Sequence, residues 1–326
     1  MKLCIVGLGA IGGYLAARLA ASGARVSALA RGETASTVAR EDFRLLSPDG
    51  DLEVRLPVSE AAADLGAQDA VILTLKAQAV PDVAPQLGPL LGPDTAVVSA
   101  YNGVPWWYFA GVGGPHDGRR VAHVDPDGII HRHIAPRRVI GAIVYPAAEV
   151  IAPGVVRHLA VNRFSLGEPS GAVSERVTAL AEAFAQAGLE TPVTGAIRNE
   201  IWIKLAANIS TSPLSVVTGA TMRALLSAES TRAQVERLIG EVAAVAEAAG
   251  HPMPLSPDQL ITAMARTGDH KTSMLQDFEK GKPLELDPLT GAVLEIAGWC
   301  RVATPAIAQI DRAARRKLQD RDRNHA

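Results

Sequence analysis

An α/β N-terminal domain followed by an all-α C-terminal domain is the fold class that this chain of 326 residues predicts. Three observations carry the prediction. A short β-branched strand, Lys2 to Val6, runs into Gly7-Leu8-Gly9-Ala10-Ile11-Gly12-Gly13 and then into an apolar, alanine-rich stretch from Tyr14 to Ala21 that suits a helix. Apolar runs of strand length recur as far as Leu166, and beyond Gly171 the periodic segments all have helical spacing. The length fits about two domains, and 48 % hydrophobic residues suffice for at least one full core.

Strand, glycine turn and helix open a βαβ unit. Ser22-Gly23 ends the helix, and Arg25 to Ala30 reads as a second buried strand with Arg31 at its carboxyl end. Phe43 to Pro57 holds Asp49-Gly50 between two short apolar runs, a hairpin signal inserted into the α/β pattern. Asp69 to Leu75 leads into Lys76, and Thr95 to Ser99 into Tyr101-Asn102-Gly103, so both end in polar residues where a parallel sheet presents its ligand edge. Residues 104–137 are rich in Gly, Pro and His with weak periodicity, which predicts a long loop holding at most a small hairpin. With aromatics at only 4 %, Trp106-Trp107-Tyr108-Phe109 stands out, as a lid, a dimer surface or a piece of core. Val139 to Val144 and Val155 to Leu166 return to strand character. Gly167-Glu168-Pro169-Ser170-Gly171 then punctuates the chain, giving domains 1–170 and 171–326. Helices are expected at Arg176 to Ala187, Ile197 to Leu226, Thr231 to Ala249, Pro257 to Ala265, Thr290 to Trp299 and Pro305 to Leu318. Gly188 and Gly250 act as stop signals, and Lys317 to Ala326 forms a frayed charged tail.

Lys and Arg total 32 against 34 Asp and Glu, a formal charge of −2, and no basic stripe could track a phosphate backbone, which argues against nucleic acid. Apolar runs stop well short of the roughly 20 residues of a membrane span, and no leader-like segment precedes the first strand, so a soluble cytoplasmic protein is expected. Cys4 and Cys300 make neither a disulfide framework nor a metal knuckle. His131 and His133, with no third ligand in view, read as exposed strand residues, and no metal is expected. Apolar helices in the second half allow a homodimer.

The glycine pattern has a physical task in this setting. Gly7 lets the strand turn sharply, Gly9 lets the backbone of the Gly7-Leu8-Gly9-Ala10-Ile11-Gly12 turn approach a pyrophosphate, and Gly12 permits close packing of helix on strand. At the second strand's end a carboxylate would accept from ribose hydroxyls, whereas Arg31 can pair with a 2′-phosphate. NADP(H) is therefore the expected cofactor, the alternative being a solvated loop charge. Lys76 could reach cofactor oxygens or a substrate anion, or simply start a helix. Asn102 could hold a nicotinamide or substrate oxygen, although Asn-Gly is more often a plain turn.

In the helical half, Lys204, Asn208 and Ser212 fall at i, i+4 and i+8, so three polar groups line one face among apolar neighbours. A lysine flanked by Ile201, Trp202 and Leu205 is partly desolvated, which lowers its pKa toward that of a useful proton donor. On spacing alone, an amphipathic helix with a solvated polar side is the commoner outcome. Ser273 opens a short helix where hydroxyl and N–H groups can hold a carboxylate, and Glu285 and Asp287 alternate with Leu284 and Leu286 in what reads as an extended segment, again commonly a solvated edge.

Gly7-x-Gly9-Ala10-Ile11-Gly12-Gly13, Thr74-Leu75-Lys76-Ala77-x-x-Val80, Asn102-Gly103, Trp202-x-Lys204-Leu205-x-x-Asn208 and Thr272-Ser273-Met274-Leu275-Gln276-Asp277 followed by Glu285-x-Asp287 resemble the ketopantoate reductase family over nearly the whole chain. The resemblance implies a Rossmann-type N-terminal domain that binds NADPH and a helical C-terminal domain, 6-phosphogluconate-dehydrogenase-like, that closes over a small 2-keto acid. It also implies hydride transfer to the ketone carbon of 2-dehydropantoate, giving pantoate for pantothenate and coenzyme A synthesis. Carried onto this chain, it makes Lys204 the general acid with Asn208 beside it, Ser273 the carboxylate ligand and Glu285 the ligand of the substrate hydroxyl. Asn102 would lie near nicotinamide and substrate, and Lys76 near the cofactor. Ser212 stands where the family often has a second asparagine, and Tyr101 where it commonly has glutamine, which admits another branched 2-keto acid as substrate. A non-catalytic NADP(H)-binding sensor is the alternative from another class.

Overall fold

Lys2 to Val6 is nearly all buried, as a strand covered on both faces must be, and is an interior strand of a seven-stranded sheet in the computed structural model, which describes residues 1–266 and 268–325. The chain folds as two compact units. The first comprises Met1–Tyr101, Trp106–Arg120 and Asp127–Ile197; the second comprises Asn102–Pro105, Val121–Pro126 and Arg198–Ala326.

The first unit opens with β1 (Lys2–Val6), α1 (Ala10–Ala21), β2 (Arg25–Leu29), α2 (Gly32–Arg40), β3 (Phe43–Leu46), β4 (Leu52–Val54), β5 (Val58–Ser59), β6 (Gln68–Leu73), α3 (Val80–Val83) and β7 (Leu91–Ser99). It continues with α4 (Ile129–His133), β8 (Val139–Val144), β9 (Ala147–Ala152), β10 (Val155–Ala160), β11 (Phe164–Gly167) and α5 (Glu175–Gln186). The large sheet has the order β11-β8-β7-β6-β1-β2-β5 and is parallel apart from β11. Strand order reverses at β1, with β2 on one side and β6 on the other, which places the ligand-binding crevice of such a sheet at the carboxyl end of β1.

The expected hairpin is present as β3 and β4, but it is half of a second sheet, β4-β3-β10-β9. That sheet covers α1: a Cβ on Gly13 would come within 2.5 Å of the Phe43 ring and 2.8 Å of Val156. The Val155 to Leu166 run is two strands rather than one, parted at Val161, whose φ of 61° breaks the extended path. Residues 104–137 contain no strand; their regular pieces are 3-10 turns and α4, so His131 and His133 lie on a short helix, not on a strand. Trp106, Trp107, Tyr108 and Phe109 are all at most 1 % exposed, and Trp107 Nε1 donates to Ser99 Oγ at 2.9 Å; the aromatic run packs as core.

The first unit extends past the 170/171 boundary drawn from the sequence. Leu180 and Phe184 of α5 join the sheet's core, and Leu166 N–H donates to Pro192 O, so the chain as far as Ile197 stays with the strands.

The second unit is helical: α6 (Ile197–Thr218, its first residue shared with the first unit), α7 (Met222–Ser227), α8 (Glu229–Ala248), α9 (Pro257–Ala265), α10 (Ser273–Glu279), a π turn (Asp287–Gly291), α11 (Ala292–Cys300) and α12 (Pro305–His325). The single helix expected from Ile197 to Leu226 breaks at Gly219, whose φ of 72° ends α6 before Thr221 caps α7. As far as His325 the charged tail is not frayed but continues α12, and Ala326 lies outside the described residues. Arg321 lies over the Phe278 ring at 5.2 Å and donates to the Phe278 and Lys282 carbonyls, which fastens the last turns. Among the described residues no helix is long and apolar enough to cross a membrane.

Candidate active site

In the first unit the crevice is built from the turn between β1 and α1. Gly7 has φ +98° and its N–H donates to Leu29 O, bending the chain off β1. Gly12 sits where a Cβ would come 1.9 Å from Gly7 O and 2.3 Å from Thr74 Oγ1, so only glycine allows α1 this close to the strand ends. A Cβ on Gly9 would meet nothing within 4 Å, and no side chain caps α1. The first helical bond runs from Gly13 N–H to Gly9 O, leaving the Ala10, Ile11 and Gly12 amides at the open end of the helix. Leu8 is buried and anchors the turn. Open space over unclaimed amides fits a dinucleotide's pyrophosphate.

Arg31 follows β2, exposed, at the cap of α2, as its place in the sequence suggested. Lys76 is half-buried and precedes the 3-10 turn Ala77–Ala79, with its carbonyl accepting from Ala79 N–H.

In the second unit, α6 has no broadly solvated side. Ile201, Trp202, Leu205, Ala206 and Ile209 are at most 5 % exposed, and Ser210, Thr211, Ser212 and Ser215 are buried as well. The amphipathic-surface alternative for Lys204, Asn208 and Ser212 therefore fails. Lys204 is half-buried by its overall exposure, but protein crowding around the ammonium governs its titration, and that burial pushes its pKa down to about 8.

Asn208 Nδ2 donates to Asn102 Oδ1 at 3.3 Å, one turn from Lys204. Asn102 is held there by its neighbours: Gly103, at φ +102°, lies so close to Pro288 that a Cβ would approach within 2.8 Å, and Val104 N–H donates to Pro288 O. Asn102, read from the sequence as part of the sheet's edge, thus belongs to the helical unit and pairs with the lysine helix.

Ser273 is the exposed first residue of α10, whose cap is Thr272; Thr272 Oγ1 meets Ser215 Oγ of α6 at 2.5 Å. Glu285 and Asp287 do not share an extended edge. Glu285 is half-buried ahead of the π turn, whereas Asp287 starts that turn and accepts from Arg315 Nη2 at 2.7 Å. Arg315 also grips Asp311, which accepts from Thr290 Oγ1 at 2.6 Å, so Asp287 pins the turn against α12.

Sequence reasoning gave no role to Ser215, nor to Thr74 and Thr272, which it quoted only as parts of motifs. Thr74 Oγ1 lies 2.7 Å from Gly7 O and 3.0 Å from Val6 O and buttresses the glycine turn; its signal was a single hydroxyl closing an apolar strand. Among the described residues no three His, Cys, Asp or Glu are grouped to hold a metal.

A dinucleotide crevice in one unit and a desolvated lysine among amides and hydroxyls in the other define a two-domain NAD(P)-dependent oxidoreductase. Residues 3–171 match the family described as Ketopantoate reductase PanE/ApbA, and residues 196–317 its C-terminal counterpart. The chain belongs to the ketopantoate reductase family. A 2-dehydropantoate 2-reductase of Mesorhizobium japonicum is 48 % identical, covering 98 % of this chain and 99 % of that one. A Ralstonia solanacearum crystal structure assigned to a ketopantoate reductase has TM-score 0.94 and 39 % identity over 98 % of each chain. The 2-dehydropantoate 2-reductase of Methylococcus capsulatus has TM-score 0.83 and 30 % identity over 98 % of this chain and 97 % of that one.

Proposed function

We propose that the chain is a cytoplasmic, NADPH-dependent 2-dehydropantoate 2-reductase that forms pantoate for pantothenate and coenzyme A synthesis. The observation that carries the reading is Lys204, desolvated on a buried helix one turn from the Asn208–Asn102 pair. Reduced nicotinamide, when bound, supplies the hydride. The Gly7 to Gly12 turn and the amides of Ala10 and Ile11 would hold the pyrophosphate, Arg31 the 2′-phosphate, and Lys76 further cofactor oxygens.

Lys204 then acts on the ketone oxygen. As that oxygen becomes anionic, the ammonium stabilises it more in the transition state than in the ground state and gives it a proton, leaving a neutral amine. Asn208 and Asn102 orient the keto acid, Ser273 takes its carboxylate and Glu285 its hydroxyl. Ser212 supplies a short hydroxyl-bearing wall.

Lys204→Ala should lower turnover by about 10²- to 10⁴-fold while leaving NADPH affinity nearly unchanged. Undiminished turnover overturns the assignment, and a wild-type chain that binds NADPH without consuming it with any keto acid points to a sensor. Ser212 and Tyr101, which depart from the family pattern, favour a second reading in which another branched 2-keto acid is preferred. A panel of keto acids followed by NADPH absorbance separates the two.

A further inference from the structure

β2 and β5 run parallel with Leu29 beside Ser59, and Ala30 N–H donates to Ser59 O at 3.1 Å. The two strands end together, with Glu60 level with Ala30 and one residue short of Arg31, so both charged residues leave the sheet at its ligand edge. Between them stands Gly32, the first residue of α2, whose N–H donates to Glu60 Oε1 at 2.7 Å. Among the described residues this is the only bond of the Glu60 carboxylate, and the Arg31 guanidinium has no hydrogen-bonding or ion-pair partner. The anion thus holds the amide next in the chain to the cation, and the two charges form no ion pair with each other.

We infer that Glu60 is a specificity-determining residue that opposes Arg31 in the choice between NADP(H) and NAD(H). The inference rests on reading this edge as the adenosine-ribose end of the dinucleotide site. A 2′-phosphate carries nearly two negative charges. It gains from Arg31 but meets a carboxylate that already occupies the nearby amide, and either repulsion or displacement of Glu60 costs affinity. A ribose 2′-hydroxyl meets the opposite situation: it is a donor, and the carboxylate has an oxygen to accept it. Arg31 sets the preference for the phosphorylated cofactor and Glu60 tempers it.

The test is equilibrium binding of NADPH and of NADH, read by protein fluorescence, for wild type, Glu60→Gln and Arg31→Gln. Glutamine keeps an oxygen for Gly32 N–H and removes the charge. In Glu60→Gln, NADPH should bind about two- to fivefold tighter and NADH no tighter, so the affinity ratio rises, and the rise should shrink in high salt. Arg31→Gln should move the ratio the other way. A merely structural Glu60 would leave the ratio unchanged, with both affinities constant or weakened together, and that result overturns the inference while leaving the enzyme assignment intact. A wild-type chain that binds neither dinucleotide overturns both. Glu60→Asp, which retains the charge, should stay nearer wild type in the ratio than Glu60→Gln; the reverse order also counts against the inference.

Discussion

Ser215 of α6 and Thr272, the cap of α10, are joined at 2.5 Å by a hydrogen bond whose direction the surrounding bonds fix. Ser215 Oγ spends its one proton on Ser212 O at 2.7 Å, so Thr272 must be the donor, while Thr272 Oγ1 accepts from Leu275 N–H at 3.2 Å. The relay Leu275 to Thr272 to Ser215 to Ser212 is buried and fastens the start of α10, and with it Ser273, to the lysine helix.

Ser215→Ala strands the Thr272 proton in the interior and should cost about 1–3 kcal/mol in urea unfolding. Thr272→Val removes the cap at a cost of about 1–2 kcal/mol. Because both break one relay, the double variant should lose clearly less than the sum of the singles. Each should raise KM for the keto acid more than it lowers kcat, since Ser273 is displaced and Lys204 is not. Additive losses with an unchanged KM would detach the relay from substrate binding.

Thr74→Val tests the buttress beneath the glycine turn. The methyl group keeps the shape but cannot donate to Gly7 O, so the turn loses a bond worth about 1 kcal/mol and NADPH should bind several-fold more weakly, with little change in Tm. Gly12→Ala should be far more severe, because its Cβ would lie 1.9 Å from a backbone oxygen. Calorimetric titration reads both, and equal effects would mean that the close approach at Gly12 is not what shapes the turn.

Glu295 holds the 121–126 segment to α11 with three bonds: from Ala122 N–H at 2.9 Å, from His123 N–H at 3.2 Å, and from His123 Nδ1 at 2.8 Å. The ring of His123 lies against Gly291, where a Cβ would come within 2.6 Å. Glu295→Ala should cost about 1–3 kcal/mol and speed tryptic cleavage after the exposed Arg119 and Arg120. An unchanged cleavage rate would show that the segment is held by its apolar residues alone.

The parts of the fold legible in the sequence were those set by local chemistry. Strand, Gly7-x-Gly9-x-x-Gly12 and helix announce a βαβ start, because Gly7 takes the positive φ of the turn and Gly12 lets α1 lie against the Gly7 carbonyl five residues back. The i, i+4, i+8 spacing of Lys204, Asn208 and Ser212 named the polar stripe of α6 for the same reason. What local pattern could not reveal was long-range. Nothing near Asn102 says that it pairs with Asn208, more than a hundred residues on, or that α5 belongs with the strands. Glu60 reaches its place only because β5, two residues long, pairs with β2. Burial likewise decided what spacing left open, since the stripe on α6 could have faced water and the aromatic run at 106–109 could have been a lid.

The depressed pKa of Lys204, about 8 against an ordinary 10.5, makes two pH predictions of definite sign. As general acid the amine must carry its proton, so keto acid reduction should be level at neutral pH and fall as pH rises through about 8. Oxidation of the hydroxy acid needs the neutral amine and should rise through the same range. Stability moves in its own direction. Between about 8 and 10.5 the unfolded chain holds a proton that the folded one has released, so this group makes the fold more stable as pH rises across that window, and below 8 the penalty of burying the charge is present in full. Lys204→Met should therefore flatten this contribution to the stability profile while abolishing the alkaline limb of the reduction rate. Measuring urea midpoints and residual turnover from pH 6.5 to 10.5 in both proteins checks the pair. If wild type and variant lose activity in parallel above pH 8, the limb belongs to another group and the proton donor must be sought elsewhere.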